Sequence, residues 1–264
     1  MIFLVFGDVM GRIGREAVKR ILPEWREKYL PDFVIANVEN LSHGSGVSPK
    51  TIGDLQEAGV VLFTSGNHVF DKEAGKELLA KPETASFLVR PENMDASLPG
   101  RGWTVVKKNG IRVLLFNLMG TVFFEDPYGD PFRTADRILA EHPADIRLLD
   151  FHAEATSEKV ALAHHLDGRV TALWGTHTHV PTADERLLPK GTAFISDIGM
   201  VGGLHGSLGI KIEPVLDLFL NRPKRSSFEP IEEGPCEINA IIIETGADGK
   251  AVRIERIRSV VSLP

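Results

Sequence analysis

The chain has 264 residues, of which 43% are hydrophobic and 25% charged, and its formal charge is −6. That composition describes a folded globular protein and excludes the strongly basic surface that grips a nucleic-acid duplex. One cysteine, Cys236, excludes an intramolecular disulfide, and no apolar run approaches the ~18 residues of a membrane span, so a cytoplasmic protein is expected.

Short apolar runs alternate with helical patterns. Residues 2–6 (IFLVF) carry no polar side chain, as in a strand buried on both faces. No basic segment precedes the run and Gly7-Asp8 ends it, so it reads as a first strand rather than a secretory leader. Within 15–29, Val18, Ile21, Leu22, Trp25 and Tyr29 recur at helical spacing. A strand at 33–38, a helix at 49–58 stopping before Gly59, a strand at 60–64 and a helix at 72–79 follow. Asn109-Gly110 between the runs 102–107 and 111–118 predicts a tight hairpin. Then come a helix at 133–141, a strand at 146–151, a helix at 157–166 and strands at 170–174 and 192–195. Runs at 237–245 and 251–260, around GADGK, predict a closing hairpin. With no internal repeat or linker, the expectation is a single domain over 1–264, an α/β fold with two mixed sheets and flanking helices.

Polar residues gather where these strands end. The first is followed by Gly7-Asp8, the second by VEN (38–40), the third by SGNH (65–68), and later ones by DFH (150–152) and GTHTH (175–179). The carboxyl ends of strands in open α/β sheets line one ligand-binding edge, so Asp8, Glu39, Asn40, Asn67, His68, His152, His177 and His179 are expected to converge. Taken singly, each has a plainer reading: Asp8 as a helix cap, Asn40 and Asn67 as turn residues, the histidines as satisfied polar groups. Their recurrence at five strand ends favours a metal site, because carboxylates, amide oxygens and imidazoles suit Mn, Fe, Zn, Co or Ni. The set exceeds what one ion takes. A shared carboxylate would let two ions ~3.5–4 Å apart divide it, the arrangement used for in-line displacement at phosphorus. On an extended segment the i, i+2 spacing of His177 and His179 turns both rings to one cleft, with Thr178 pointing away. His142, His164 and His165 fall on helices and read as solvated, while His43 and His205 lie in glycine-rich loops as candidate pocket residues.

In this order, "GD", "GNH" followed by Asp71, a lone His152 and "GTHTH" resemble the calcineurin-like metallophosphoesterases. Two positions depart from the usual pattern: Met10 stands where D-x-H has its histidine, and Glu39 where a bridging aspartate is usual. Both departures match one branch, the bacterial 2′,3′-cyclic-nucleotide 2′-phosphodiesterases (YmdB-like). That branch also has counterparts of RPEN (90–93), NLMG (117–120), DPF (130–132) and DIGM (197–200), so the resemblance spans nearly the whole chain. It implies a four-layer α/β/β/α sandwich with mixed sheets. It implies Asp8, Glu39, Asn40 and His179 on a first metal and Glu39, Asn67, His152 and His177 on a second, with Glu39 bridging and Asn40 replacing the missing histidine. His68 is implied as the general acid. The implied metals are iron or manganese, with zinc, cobalt, nickel and magnesium as alternatives. A homo-oligomer, with a tetramer among the options, is implied as well.

The chemistry of such a site is coherent. A hydroxide bridging two divalent ions is available near neutral pH because coordination lowers the pKa of water to ~7, and the ions offset charge on the phosphoryl oxygens. A ribose oxygen leaves poorly as an alkoxide, so a titratable acid such as His68 is needed. The expected activity is hydrolysis of small phosphodiesters, 2′,3′-cyclic nucleotides to 3′-nucleotides. Two other classes compete. Gly7, Gly11 and Gly14 before a helix suggest a nucleotide-cofactor oxidoreductase, with Arg12 beside a phosphate at the helix N-terminus, yet they match neither G-x-G-x-x-G nor a Walker loop. A non-catalytic, metal-stabilised nucleotide-binding or signalling scaffold is the other, and an intact His68 disfavours it.

Overall fold

The computed structural model describes residues 1–223 and 227–263. In chain order the strands are β1 (Ile2–Val9), β2 (Phe33–Asn37), β3 (Leu62–Thr64), β4 (Trp103–Lys108), β5 (Ile111–Met119), β6 (Ile146–His152), β7 (Ala172–Thr176), β8 (Arg186–Leu187), β9 (Ala193–Ile195), β10 (Met200–Gly203), β11 (Gly234–Thr245) and β12 (Ala251–Leu263). The helices are α1 (Gly11–Tyr29), α2 (Pro49–Ala58), α3 (Glu73–Leu79), α4 (Pro131–Glu141), α5 (Thr156–Leu166) and α6 (Ile212–Phe219). One sheet has the order β12-β11-β10-β1-β2-β3 and the other β4-β5-β6-β7-β9-β8.

Strand periodicity explains the layering. Phe3 and Val5 of β1 and Ile35 of β2 face Val113, Leu115, Leu148 and Trp174 of the second sheet, forming an apolar layer between the sheets. Their neighbours Leu4 and Phe6 point the other way, onto Val18, Leu22 and Trp25 of α1 and Leu55 of α2. Phe6 stacks on Trp25 with centroids 5.6 Å apart. On the far side, Leu114, Phe116 and Leu149 pack against Ile138 of α4 and Leu162 and Leu166 of α5. Three apolar layers separating helix, sheet, sheet and helix make the expected four-layer sandwich.

Local chemistry sets the element ends. Ser48 and Thr51 form a reciprocal capping box at the start of α2, and Asp130 caps α4 through Phe132 N and Arg133 N. Asn109 (φ 52°) and Gly110 (φ 84°) make the left-handed pair of a tight turn between β4 and β5.

In the first sheet β1, β2 and β3 run parallel, and in the second β5, β6, β7 and β9 do, so each sheet brings several carboxyl ends to one edge. A bulge at Gly7 interrupts the β1–β2 register between Phe6 and Asp8. A Cβ on Gly7 would lie 1.8 Å from Gly199 O, and one on Gly14 2.5 Å from Val201 O. These glycines therefore let β10 and its lead-in close on β1 and α1. The nucleotide-cofactor reading of that run is corrected: Arg12 reaches Glu232 O at 3.0 Å and its carboxylate at 3.9 Å, on the protein surface. The sequence reading missed β8, β10 and α6. His142, expected to be solvated, stacks on Trp103 with centroids 3.6 Å apart. Among the described residues, no helix is long and apolar enough to cross a membrane.

Candidate metal centre

At the shared edge, the strand-end residues meet. Asp8 is the penultimate residue of β1, Glu39 and Asn40 follow β2, and Asn67 and His68 open a 3₁₀ turn after β3. From the second sheet, His152 ends β6, while His177 and His179 follow β7. Glu39, His152 and His177 offer ligand atoms within 4.8 Å of one another. His152 Nε2 lies 3.1 Å from Glu39 Oε1, 3.1 Å from Asn67 Oδ1 and 3.2 Å from His177 Nδ1. Asn40 Nδ2 donates to Glu39 Oε1 at 3.3 Å and lies 3.3 Å from His179 Nε2, and Asp8 Oδ2 accepts from His177 N at 3.2 Å. All seven expected ligands are thus brought together.

Three observations test whether this cluster suits metal ions. First, Asp8 Oδ1 is fully buried and has no hydrogen-bond partner, a costly state for a carboxylate unless a cation meets it. Second, a Cβ on Gly66 would stand 2.3 Å from His152 Nε2 and 2.4 Å from Glu39 Oε2, so the main chain leaves the space beside both groups clear.

Third, each histidine's outer nitrogen is engaged by a fixed partner. Thr176 Oγ1 donates its one proton to Asp150 at 2.6 Å, so His152 Nδ1, 2.9 Å away, must donate to Thr176, and Nε2 is the nitrogen that offers a lone pair when the ring is neutral. His177 Nε2 faces Glu154 at 3.1 Å, leaving Nδ1 toward the cluster. His179 Nδ1 donates to Leu208 O at 3.0 Å, leaving Nε2 toward Asn40. Such outer partners select the tautomer a metal requires. The residues fit divalent ions.

Burial and mutual charge pull the titratable groups of the cluster away from their ordinary values. Burial pushes the Asp8 carboxyl up to about 7 against the pull of His179 and His152. Burial opposes charge on His152 too, but Glu39, Asp8 and Asp150 together lift it to about 9. Burial also works against ionised Glu39, yet His152 and His68 hold it down at about 2. Burial and then the charge on His152 lower His177 to about 3.

One geometric expectation is corrected. His177 (φ 101°) and His179 (φ 64°) lie in left-handed backbone, so they reach the cluster through a tight turn rather than an extended segment. Non-glycine residues bear such strain only when their surroundings enforce it. Here Lys159 and Asp197, both buried, pair at 2.8 Å. Lys159 donates to Thr176 O, and Asp197 accepts from Thr178 N at 3.2 Å.

His68 sits at the rim with its ring half-exposed, its N–H donating to Glu39 Oε2 at 2.8 Å and its Nδ1 2.7 Å from Asp71. Of the loop histidines, His43 lines a separate cleft with Lys211 and Glu229, and His205 is exposed. Sequence reasoning missed the supporting residues. Asn37 donates to Ser65 O and to Asp150, and its Oδ1 accepts from Glu39 N. Asp150 also accepts from Thr64 Oγ1. Asn37 and Asp150 stand in NVEN and DFH, the motifs that were read for their other residues.

The YmdB-like protein family model matches residues 4–257. A 2′,3′-cyclic-nucleotide 2′-phosphodiesterase of Bacillus subtilis (strain 168) is 43% identical over 261 residues, covering 97% of this chain and 96% of its own length. A solved phosphatase structure from Mycoplasma pneumoniae superposes with TM-score 0.92 at 37% identity, covering 100% of this chain and 95% of that one. A 5′-nucleotidase precursor from Thermus thermophilus shares the fold alone, with TM-score 0.55, 10% identity, and coverage of 99% of this chain and 54% of that one.

Proposed function

The chain belongs to the YmdB-like protein family, and on that premise we propose that it is a metal-dependent phosphodiesterase that opens 2′,3′-cyclic nucleotides at the 2′ ester to leave 3′-nucleotides. The observation that carries the reading is the cluster, buried at Asp8, Glu39 and His152, in which each histidine has one nitrogen anchored and the other turned to Asp8, Glu39 or their neighbours. Asp8, Glu39, Asn40 and His179 would hold one ion and Glu39, Asn67, His152 and His177 the other, with Glu39 shared; iron or manganese suits this nitrogen and oxygen set. When bound, the ions would supply an activated water and offset negative charge at phosphorus.

The chain's own groups manage the leaving oxygen. Asp71 accepts from His68 Nδ1 and from Ser45 Oγ, so Nε2 faces the substrate side and is the nitrogen that bears the transferable proton in the doubly protonated ring. As the water oxygen bonds to phosphorus and the P–O2′ bond breaks, that proton passes to O2′, and His68 is then reprotonated from solvent.

The test is metal analysis of the purified protein followed by hydrolysis of 2′,3′-cyclic AMP and of an aryl phosphodiester, each with and without a chelator. Chelator-sensitive hydrolysis is expected, and none on any phosphate ester would refute the proposal. His68→Ala should retain metal and lose far more activity on the ribose ester than on the aryl ester, whose leaving group needs no acid. Equal losses on both would remove His68 from the acid role.

A further inference from the structure

An open cleft of about 340 Å³ adjoins the metal centre, and Asn67, whose amide lies 3.1 Å from His152 Nε2, belongs to both. Phe70, Met94, Leu98 and Tyr128 form its apolar sides. Tyr128 comes from the loop 121–130, which is pinned at both ends. Glu158 accepts from Thr121 N at 2.9 Å and Val122 N at 3.3 Å, while Asn93 donates to Gly129 O at 2.7 Å and to Met119 O at 2.8 Å. Phe124 of the same loop has its ring 5.6 Å from that of Tyr128 and 5.0 Å from that of His177. The aromatic wall therefore runs from the cleft to a ring of the candidate metal cluster.

The charge of the cleft is one-sided. Its charged groups are Asp95 and Asp126, and no lysine, arginine or histidine lies among the described residues lining it. Asp126 Oδ2 accepts the Tyr128 hydroxyl at 3.0 Å and Asp95 Oδ1 accepts Ser97 N at 2.8 Å. A carboxylate offers about four lone-pair sites and no donor, so both retain capacity to accept and neither can donate.

We infer that this cleft seats the heterocyclic base of the substrate and selects bases that present an exocyclic amino donor, adenine and guanine before uracil. The inference rests on the phosphodiesterase reading above and names the substrate class of that site. A flat base satisfies the apolar and aromatic walls by stacking. An amino group meets the carboxylates as a donor meets acceptors, whereas uracil places two carbonyls beside its one N–H and sets acceptor against acceptor.

With manganese-loaded protein, kcat/KM is measured for 2′,3′-cyclic AMP, GMP and UMP and for glycerol 1,2-cyclic phosphate, the same cyclic diester without a base. Binding of adenosine and uridine is measured in parallel by calorimetry. The cyclic purine nucleotides should exceed cyclic UMP by about tenfold or more. Leu98→Trp, which fills the cleft, should cut the ratio of cyclic AMP to glycerol cyclic phosphate by about tenfold, and Asp126→Asn should narrow the adenine-to-uracil preference. Cyclic UMP turned over as well as cyclic AMP, or an unchanged ratio in Leu98→Trp, overturns the inference. If no ester is hydrolysed, the phosphodiesterase reading falls and binding decides the cleft alone. Adenosine bound in preference to uridine, and lost in Leu98→Trp, sustains it; any other binding result overturns it.

Discussion

Replacing Gly66 by alanine probes how closely the main chain is fitted to the metal centre. Gly66 has φ −160° and ψ −150°, extended backbone open to any residue, so the substitution acts through its methyl group alone. That methyl would stand 2.3 Å from His152 Nε2 and 2.4 Å from Glu39 Oε2, where ordinary contact begins at 3.4 Å, so its neighbours must yield by about 1 Å. Neither has room to do so, because His152 is fully buried with Nδ1 tied to Thr176, and Glu39 is buried and bonded to His68 N. Overpacking of this kind costs about 1–3 kcal/mol, and a ligand displaced by about 1 Å costs about 100-fold in rate. The variant should fold with a lowered melting temperature, bind fewer metal equivalents, and show kcat/KM on a cyclic nucleotide down by about 100-fold. Melting is followed by circular dichroism, metal by elemental analysis and rate by product formation. Normal metal content together with normal turnover would refute the reasoning. Gly53→Ala is the control: within α2, nothing lies within 4 Å of its added methyl, so stability should rise by about 0.5–1 kcal/mol.

Three further substitutions or measurements bear on the cluster's support. Glu154→Gln removes the charged acceptor at His177 Nε2 and should weaken metal affinity about tenfold, with activity restored by excess metal; unaltered affinity would dismiss Glu154 as a bystander. His152, held at about 9, is protonated at pH 7 in the metal-free protein and must be neutral to bind metal, so loading releases about one proton, plus a fraction from Asp8 at about 7. Affinity should therefore rise with pH until His152 titrates. Calorimetry in buffers of different ionisation heat counts the protons, and a count of zero contradicts the assignment. Lys159→Met strands buried Asp197 without its cation and should destabilise the fold by about 3–5 kcal/mol in urea unfolding, while a loss under about 1 kcal/mol would mean that the pair is not needed.

What was legible in the sequence was the set of inner residues, and the reason is topological. Parallel strands deliver their ends to one edge, so Asp8, Glu39, Asn67, His152 and His177 could be read one strand at a time. The support could not. Asp150 acts through Thr176 and Asn37, two residues from other strands, and no spacing along the chain announces that meeting. Glu154 lies just beyond β6, and only the fold reveals that it faces His177. The turn holding His177 and His179 was misjudged because left-handed backbone at histidine is enforced by the buried Lys159–Asp197 pair, a tertiary cause. β10 went unread because it is four residues long, ends in two glycines, and is strand-like only through pairing with β1 and β11.

The provenance of the candidate ligands has a consequence for the fold itself. Asp8, Glu39, Asn40 and Asn67 hang from one sheet and His152, His177 and His179 from the other, so ions held among them would clasp the two sheets at a single edge. The interior behind that edge is an apolar layer, non-directional by nature, with polar ties such as Asn37 to Asp150 close to the cluster. Ions that bind only the closed arrangement stabilise it by mass action. On the proposed metal-dependent reading, metal supply would govern more than turnover: a depleted chain would keep its core yet open more readily along the clasped edge, where local unfolding and proteolysis would begin.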